Sequence, residues 1–417
     1  MAEAATTLLT TSDGRPLKAA LATAQARAKR RAFLLVLPLL LFVLLTFLIP
    51  IGYMLKRSLE HDGFSGSAPS LSAWFKQQPG FDPANPPEEA YAALVSDLAL
   101  MQKDKTTGMA GTRINYTVPG TISLFKAGAR AAKDLQPPYK EALLALDPEW
   151  GMPRLWRAME AASSPYTTEF YQVATDRKLG DTGWARGADQ DRIYLYLFFK
   201  TFLVSGAITV ICLLLAFPVA HLLAVLPMSK SSLLMILVLL PFWTSLLVRT
   251  TAWIALLQEQ GIVNDLLVWA GILSDDNRLQ AMYNMTGTIV AMTHVLLPFM
   301  ILPLYSVMRV IPPSYARASR SLGATSWTTF RRIYVPQTLP GIAAGSLLVF
   351  ILAVGYYITP ALVGGADGQL ISNLISFHMT KSNWSLAAAL AAMLLAAILV
   401  LYWLYDRLIG IDRLKLG

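Results

Sequence analysis

The sequence predicts an all-α integral membrane protein with six transmembrane helices and a mostly helical extracytoplasmic insert after the first of them. Of its 417 residues, 55% are hydrophobic and only 15% are charged, and the mean hydropathy is +0.48. Such a composition is too apolar for an ordinary soluble protein. Six apolar runs are each long enough to cross a bilayer, which takes about 20 helical residues.

The chain begins with a basic segment, residues 1–32, that we predict to be a cytoplasmic tail. The first transmembrane helix is predicted over 33–57. Arg30 and Arg31 before this apolar run resemble a twin-arginine export signal. We favour an uncleaved anchor, because the apolar core is long and no small-residue cleavage site follows it.

Residues 58–193 differ in composition, since they contain prolines and nearly balanced charges and no spanning run. Residues 88–102 and 138–150 show helical periodicity. We predict a mostly helical extracytoplasmic insert that fills space as a lid and is not catalytic. His61 is its only histidine, and Ala110 lies in a polar stretch where we expect it to be accessible.

Five further spans are predicted within 194–408, at 194–225, 233–257, 284–308, 341–363 and 384–408, followed by a cytoplasmic tail, 409–417. Segments assigned to the cytoplasm hold 15 Lys and Arg, whereas the two short outside loops hold only Arg278 and Lys381. Because positive charge marks cytoplasmic loops, both termini are predicted to be cytoplasmic.

A polar, basic loop at 310–340 separates two apolar runs. We predict two short helices joined by a turn at Gly323, which can take a positive φ without steric cost. Ser326 is expected to cap the second helix, which carries Trp327, Phe330 and Ile333 on one face. Pro336 and Pro340-Gly341 are expected to stop that helix and start the next span.

This loop resembles the "EAA" loop of binding-protein-dependent ABC importer permeases. Arg317-Ala318-Ser319 stands where that pattern has Glu-Ala-Ala, so an arginine replaces the usual acidic residue. The resemblance implies that the loop docks onto a separate ATPase. The residues it assigns to ATPase coupling are Tyr315, Arg317, Ala318, Ser319, Gly323, Ala324, Phe330, Ile333, Pro336, Pro340 and Gly341.

Four further segments, at 240–253, 261–273, 297–309 and 355–365, resemble in order the permeases of spermidine/putrescine-type importers. The likeness covers about 194–408 and the first span. It implies a type I ABC importer bundle in a bacterial inner membrane, surrounded by lipid. It also implies two ATPase subunits that bind ATP and Mg²⁺, a second permease that is a paralogue, and a periplasmic substrate-binding protein. The implied substrate is a polyamine or a related small amino compound.

Several polar and aromatic residues inside the predicted spans are candidates for the transport pathway, namely Trp243, Thr244, Arg249, Tyr356 and Tyr357. Counting about 1.5 Å per residue from Leu233 puts Trp243 at mid-depth and Arg249 about 24 Å in. We favour an ion pair for Arg249 over substrate contact. His294 is interpreted as a hydrogen-bonded packing residue, and Pro241, Pro298 and Pro303 as helix kinks.

The sequence argues against catalysis in this chain. It contains no Walker A pattern, so ATP hydrolysis is assigned to a partner. Cys212 is the only cysteine, and no metal site, bound cofactor or nucleic-acid partner is expected. An ion-coupled secondary transporter is an alternative, although no acidic residue lies centrally in a span. A membrane-anchored receptor or scaffold using the insert is another, but it leaves the polar loop unexplained.

Overall fold

The computed structural model describes residues 17–409 as two units, the first ending at Arg57 and the second beginning at Ser58. The predicted cytoplasmic tails therefore lie partly outside the described residues, at 1–16 and 410–417. The predicted all-α membrane fold is confirmed by five long apolar helices and one bent pair of apolar helices within the described residues. Counted as one span, the bent pair brings the total to the predicted six, and it corresponds to the third predicted span, 233–257.

The first unit is one long apolar helix that begins before the predicted first span. It consists of α1 (Leu17–Val43), a π-helical turn (Leu44–Leu48) and α2 (Ile49–Arg57). Pro50 is the second residue of α2. A proline inside a helix removes one backbone bond and clashes with the carbonyl four residues earlier. The wider π turn directly before it gives that carbonyl room, so the helix continues.

The insert forms its own hydrophobic core from short helices. Its buried centre includes Tyr91, Leu98, Phe125, Trp150 and Trp156. The helices are α3 (Pro69–Gln77), α4 (Glu88–Asp104), α5 (Thr107–Asn115), α6 (Thr121–Ala131), α7 (Tyr139–Leu146), α8 (Pro153–Ala162) and α9 (Glu169–Ala174). An antiparallel hairpin follows, made of β1 (Arg177–Gly180) and β2 (Gly183–Arg186).

Buried polar groups fix how the insert helices meet. The Asp97 carboxylate accepts hydrogen bonds from the backbone N–H groups of Ser70 (3.0 Å) and Leu71 (2.7 Å), at the start of α3. Burial raises the pKa of Asp97, while these two bonds lower it. Ala110, which we expected to be accessible, is fully buried. The polar residues around it misled the prediction, because two of them, Thr107 and Arg113, are themselves buried on the inward face of α5.

The insert is joined to the helix that follows it by a carboxylate cap. Asp176 accepts from the backbone N–H groups of Tyr194 and Leu195, each at 2.9 Å. These residues open α10 (Tyr194–Val225), so the cap satisfies donors that a helix start leaves free. Helix α9 also packs against the last helix of the chain. The insert is thus held to the bundle at two places.

The remaining elements form the bundle. They are α11 (Met228–Leu239), α12 (Leu246–Leu257), α13 (Ile262–Trp269), α14 (Met285–Val310), α15 (Pro313–Ser321), α16 (Ser326–Thr329), α17 (Val335–Gly355), α18 (Ile358–Val363), α19 (Ile371–Thr380) and α20 (Trp384–Ile409). Helices α10, α14 and α17 pack closely around one core. Its α10 side repeats every four residues, at Val204, Ile208, Cys212, Ala216 and Ala220. Pro298 and Pro303 lie inside α14, which is continuous.

Candidate coupling loop and transport pathway

The turn between α15 and α16 has the geometry predicted for Gly323. Its φ is +87°, in the left-handed region that favours glycine. The Gly323 N–H donates to the Arg320 carbonyl at 3.0 Å, and the Ala324 N–H donates to the Ser319 carbonyl at 3.1 Å. This pair of bonds is a Schellman motif, which satisfies the carbonyls at the end of a helix. The turn therefore depends on the backbone conformation of one residue.

The cap of α16 is Thr325, not Ser326 as predicted. Thr325 Oγ1 accepts from the Thr328 N–H at 3.2 Å. A cap must have a non-helical backbone, and Thr325 has ψ of 160° whereas Ser326 is already helical. Ser319 and Thr329 hydroxyls lie 3.0 Å apart and tie α15 to α16. The two helices are thus linked by both a turn and a side-chain bond.

Pro336 and Pro340 do not stop the helix, contrary to the prediction. The helix runs unbroken from Ser326 to Gly355, through a π-helical turn at Phe330–Tyr334. As in the first unit, the π turn comes just before a proline and removes its clash with the preceding turn. The loop helix α16 is therefore continuous with a membrane-spanning helix.

Aromatic rings connect this segment to α10. Phe330 stacks between Trp327 (5.7 Å between ring centroids) and Tyr334 (6.1 Å), and it meets Phe217 of α10 edge-on at 6.0 Å. The Tyr334 hydroxyl lies 2.8 Å from His221 Nδ1, also on α10. Tyr334, not Ile333, continues the predicted face because the π turn widens the spacing.

Gly341 serves packing within the bundle. A Cβ at this position would lie 3.1 Å from the Pro303 carbonyl oxygen and 3.2 Å from Leu304 Cα, both on α14. The backbones of α14 and α17 are therefore in close approach just beyond the loop. Small residues at helix interfaces permit such approach in membranes.

The outer surface of the loop is both apolar and basic. Leu322 is 89% exposed and Trp327 is 68% exposed, and Tyr315 is also exposed. The loop arginines are exposed and form no ion pair within residues 17–409; they are Arg317, Arg320, Arg331 and Arg332. No acidic residue occurs between 277 and 366. Exposed large apolar side chains beside unpaired charges are typical of a docking surface.

The third span is broken where the pathway candidates begin. Helices Met228–Trp243 and Leu246–Trp269 meet at 98°. Pro241 lies in a 3-10 turn before the break, and Ser245 caps α12 by accepting from the Val248 N–H at 3.1 Å. The predicted depths of Trp243 and Arg249 are wrong, because they assumed one straight helix. Trp243 is 76% exposed and Thr244 is exposed.

Arg249 lies in a polar cluster formed by α12, α14 and the start of α18. The guanidinium lies near the side chains of His294 and Tyr356. Within residues 17–409 Arg249 forms no ion pair, which contradicts the expectation, and its Nε has no hydrogen-bond partner. His294 Nδ1 is also without one in this part of the chain, so His294 is not hydrogen-bonded as predicted. The ring of Trp253 meets His294 edge-on at 5.4 Å.

Tyr356 and Tyr357, predicted inside the span 341–363, lie in a break between two helices, because α17 ends at Gly355 and α18 begins at Ile358. Both follow the helix end. Their carbonyls accept from Ser372 Oγ (2.6 Å) and Asn373 Nδ2 (2.7 Å) on α19. The Tyr356 side chain is partly buried and lies near Arg249, whereas Tyr357 is 44% exposed. Of the five predicted pathway residues, only Arg249 and Tyr356 are therefore brought together.

The sequence of residues 193–409 matches a protein family, described as "Binding-protein-dependent transport system inner membrane component". The chain belongs to this family. It is a permease subunit of an ABC importer, and ATP hydrolysis belongs to a separate subunit. The membership excludes the two alternatives, a secondary transporter and a receptor or scaffold. It also supports a multi-pass protein of the inner membrane that works with an ATPase and a periplasmic binding protein.

Relatives are similar over half of the chain or more. The spermidine/putrescine transport system permease protein PotB of Salmonella typhimurium (strain SL1344) is 34% identical over 224 residues, which are 53% of this chain and 77% of that protein. PotB of Haemophilus influenzae is 36% identical over 216 residues, 52% of this chain and 75% of that protein. A bacterial ABC transporter that imports alginate is 16% identical, with a TM-score of 0.49 over 67% of this permease and 98% of that chain.

Two features of the permease were not found from its sequence. The first is the contact of His221 with Tyr334. It forms because α10 lies next to the π turn in the fold, and no residue spacing along the chain indicates that the two are neighbours. The second is the set of contacts around Arg249, where Trp253 of α12 meets His294 of α14 and α18 packs against both helices. A signal for the second was present in part, since Arg249 and His294 are basic side chains in otherwise uncharged, largely apolar runs.

Proposed function

We propose that this permease carries a polyamine such as spermidine or putrescine, or a related small amino compound. The observation that supports the proposal is the 34–36% identity to spermidine/putrescine permeases over three quarters of their length. Aromatic faces such as those of Tyr356 and Trp253 can hold an amine transiently, at about 0.5–2 kcal/mol each. No carboxylate that could trap a cation lies centrally in a span, since Glu259, Asp265 and Asp406 lie toward span ends.

A competition test separates a polyamine from an anionic substrate. Arg249 makes the test informative, because an unpaired guanidinium repels a polyamine and attracts a carboxylate. We expect spermidine and putrescine to compete for uptake in cells that hold the complete transport system. Zwitterionic and anionic amino compounds should compete at least tenfold more weakly. Competition by the zwitterionic or anionic set alone would remove the polyamine assignment and leave the importer assignment standing.

The assembly proposed for this permease contains two ATPase subunits and a second permease that is a paralogue. Loop 310–340 would be the main ATPase contact, through the exposed Leu322 and Trp327 and the exposed arginines on either side of them. ATP and Mg²⁺ would bind to the partner, and this chain would hold no cofactor. The continuous helix from Ser326 to Gly355 would carry the ATPase motion into the membrane.

The proposed topology puts both termini in the cytoplasm and the insert, 58–193, outside the membrane. Its support is the excess of Lys and Arg in the segments assigned inside. In a Cys212→Ala background, Ala127→Cys should react with a membrane-impermeant maleimide from the periplasm of intact cells. Ala127 is exposed on α6.

Ala110→Cys is the matched control for this experiment. Ala110 belongs to the same insert but is fully buried, so its thiol should react only after denaturation. Labelling of Ala127→Cys only after the inner membrane is breached would overturn the proposed sidedness. Equal labelling at both positions in intact cells would mean that the insert is not folded as described.

A further inference from the structure

A basic cavity of about 600 Å³ lies between the loop and the ends of the spans. Three guanidinium groups line it, from Arg309, Arg317 and Arg320. His221, Tyr315, Tyr334 and Gln337 add further polar groups, and no acidic side chain lines it. A partly open cavity lined by three cations and no acidic side chain favours an anionic ligand.

One of the three arginines is fixed by the ends of the spans. Arg309 Nη1 donates to the carbonyls of Ala224 (2.7 Å) and Leu226 (3.1 Å) at the end of α10. Arg317 and Arg320 belong to α15 and form no ion pair within residues 17–409. Each retains its full donor capacity except for one bond from Arg320 Nε to the carbonyl of Ala316. The cavity thus combines one guanidinium held by backbone carbonyls with two guanidinium groups that have no acidic partner among residues 17–409.

The other part of the lining is apolar and accessible. Val225, Met308, Ile311 and Pro312 contribute to it, and Val225 is 69% exposed. Val225 and Val310 are the last residues of α10 and α14, two of the long apolar helices. The cavity therefore lies at the level where the spans end. A ligand with a phosphate group and an attached hydrocarbon chain would match both parts of the lining.

We infer that this cavity binds the phosphate headgroup of an anionic membrane lipid, with the acyl chains along Val225 and the span ends. The inference rests on the proposed cytoplasmic placement of loop 310–340. Basic pockets between transmembrane helices on the cytoplasmic side are suited to anionic headgroups. An acidic side chain of the ATPase fits less well, because the exposed tip of the loop, at Leu322 and Trp327, lies outside the cavity lining.

The test uses the full chain purified in detergent, with phosphatidylglycerol as the probe and native mass spectrometry as the readout. Wild-type protein should retain phosphatidylglycerol in preference to phosphatidylcholine. Arg317→Gln/Arg320→Gln should weaken that retention by roughly 10- to 30-fold, as expected for the loss of two cations near a headgroup. Arg331→Gln/Arg332→Gln is the matched control, since it removes two exposed arginines of the same loop that do not line the cavity.

Three outcomes would overturn the inference. Equal retention of phosphatidylcholine by the wild type would show that the cavity does not select a charged headgroup, and this arm needs no variant to fold. An equal loss in the control variant would assign the effect to general loop charge. Displacement of the lipid by inorganic phosphate alone would replace the lipid with a soluble anion.

The readout also separates this inference from the proposed coupling function. If Arg317→Gln/Arg320→Gln abolishes co-purification of the ATPase while lipid retention is unchanged, the arginines serve a carboxylate of the ATPase and the lipid site is wrong. If lipid retention falls and the ATPase still co-purifies, the lipid site stands independently of coupling. Failure of the proposed topology would appear separately, in the labelling of Ala127→Cys.

Discussion

Replacing Gly323 with valine is expected to lower uptake at least tenfold while ATP hydrolysis by the assembled transporter continues. Gly323 has φ of +87°, where a β-branched residue is strained by about 1–3 kcal/mol. An added Cβ would meet no atom within 4 Å, so the effect comes from the backbone and not from a clash. The turn would open and the relation of α15 to α16 would be lost. Uptake and ATPase rate are measured together in inverted or reconstituted membranes.

Gly323→Asn is the matched control, because asparagine tolerates the left-handed region far better than valine does. It should retain most of the uptake, with the Schellman bonds to Ser319 and Arg320 intact. Normal uptake by Gly323→Val would mean that the turn is not part of the coupling to the ATPase. Equal loss in both variants would point to the exposed surface at this position instead of its backbone conformation.

The sequence predicted the conformation of Gly323 because the requirement is local. A helix that ends at Ser321, with Leu322 as its C-cap, needs a residue able to adopt a positive φ at the next position, and glycine is the usual choice. The apolar spans were predicted for a similar reason, since their composition alone indicates burial in a bilayer. The four-residue turn Gly180–Gly183 also carried a hairpin signal, with glycines at both ends, that was not recognised.

The course of the third span could not be predicted from hydropathy. Residues 228–269 are largely apolar on both sides of the break. A hydropathy average over a window of residues does not report the direction of the helix axis, so it cannot show the bend. The break is set by Pro241 and by the cap at Ser245, each of which also occurs in unbroken helices. Pro336 was likewise expected to end a helix, because proline usually breaks a helix interior. Its tolerance depends on the π turn at 330–334, which no spacing indicates.

Glu169→Gln is expected to destabilise the insert by about 3–5 kcal/mol, the loss found when one partner of a buried ion pair is removed. Arg113 is fully buried and Glu169 is 4% exposed, and the two side chains are hydrogen-bonded. Glu169 also accepts from Thr117 Oγ1 at 3.1 Å. The Arg113 guanidinium lies 5.2 Å from the ring centroid of Phe170, which cannot replace a carboxylate. The charge on Arg113 would remain buried and unpaired.

The measurement exploits the buried position of Ala110, on the same helix as Arg113. In a Cys212→Ala/Ala110→Cys background, the urea midpoint for maleimide reaction reports opening of the insert in the full chain. Glu169→Gln should lower this midpoint strongly.

Asp189→Asn is the control. The Asp189 carboxylate pairs with Arg192 but is 91% exposed, and exposed ion pairs contribute only about 0–1 kcal/mol to stability. The double variant Arg113→Met/Glu169→Leu should recover stability relative to Glu169→Gln, since it leaves no buried charge. An unchanged midpoint for Glu169→Gln would mean that the pair is hydrated and does not hold α5 to α9.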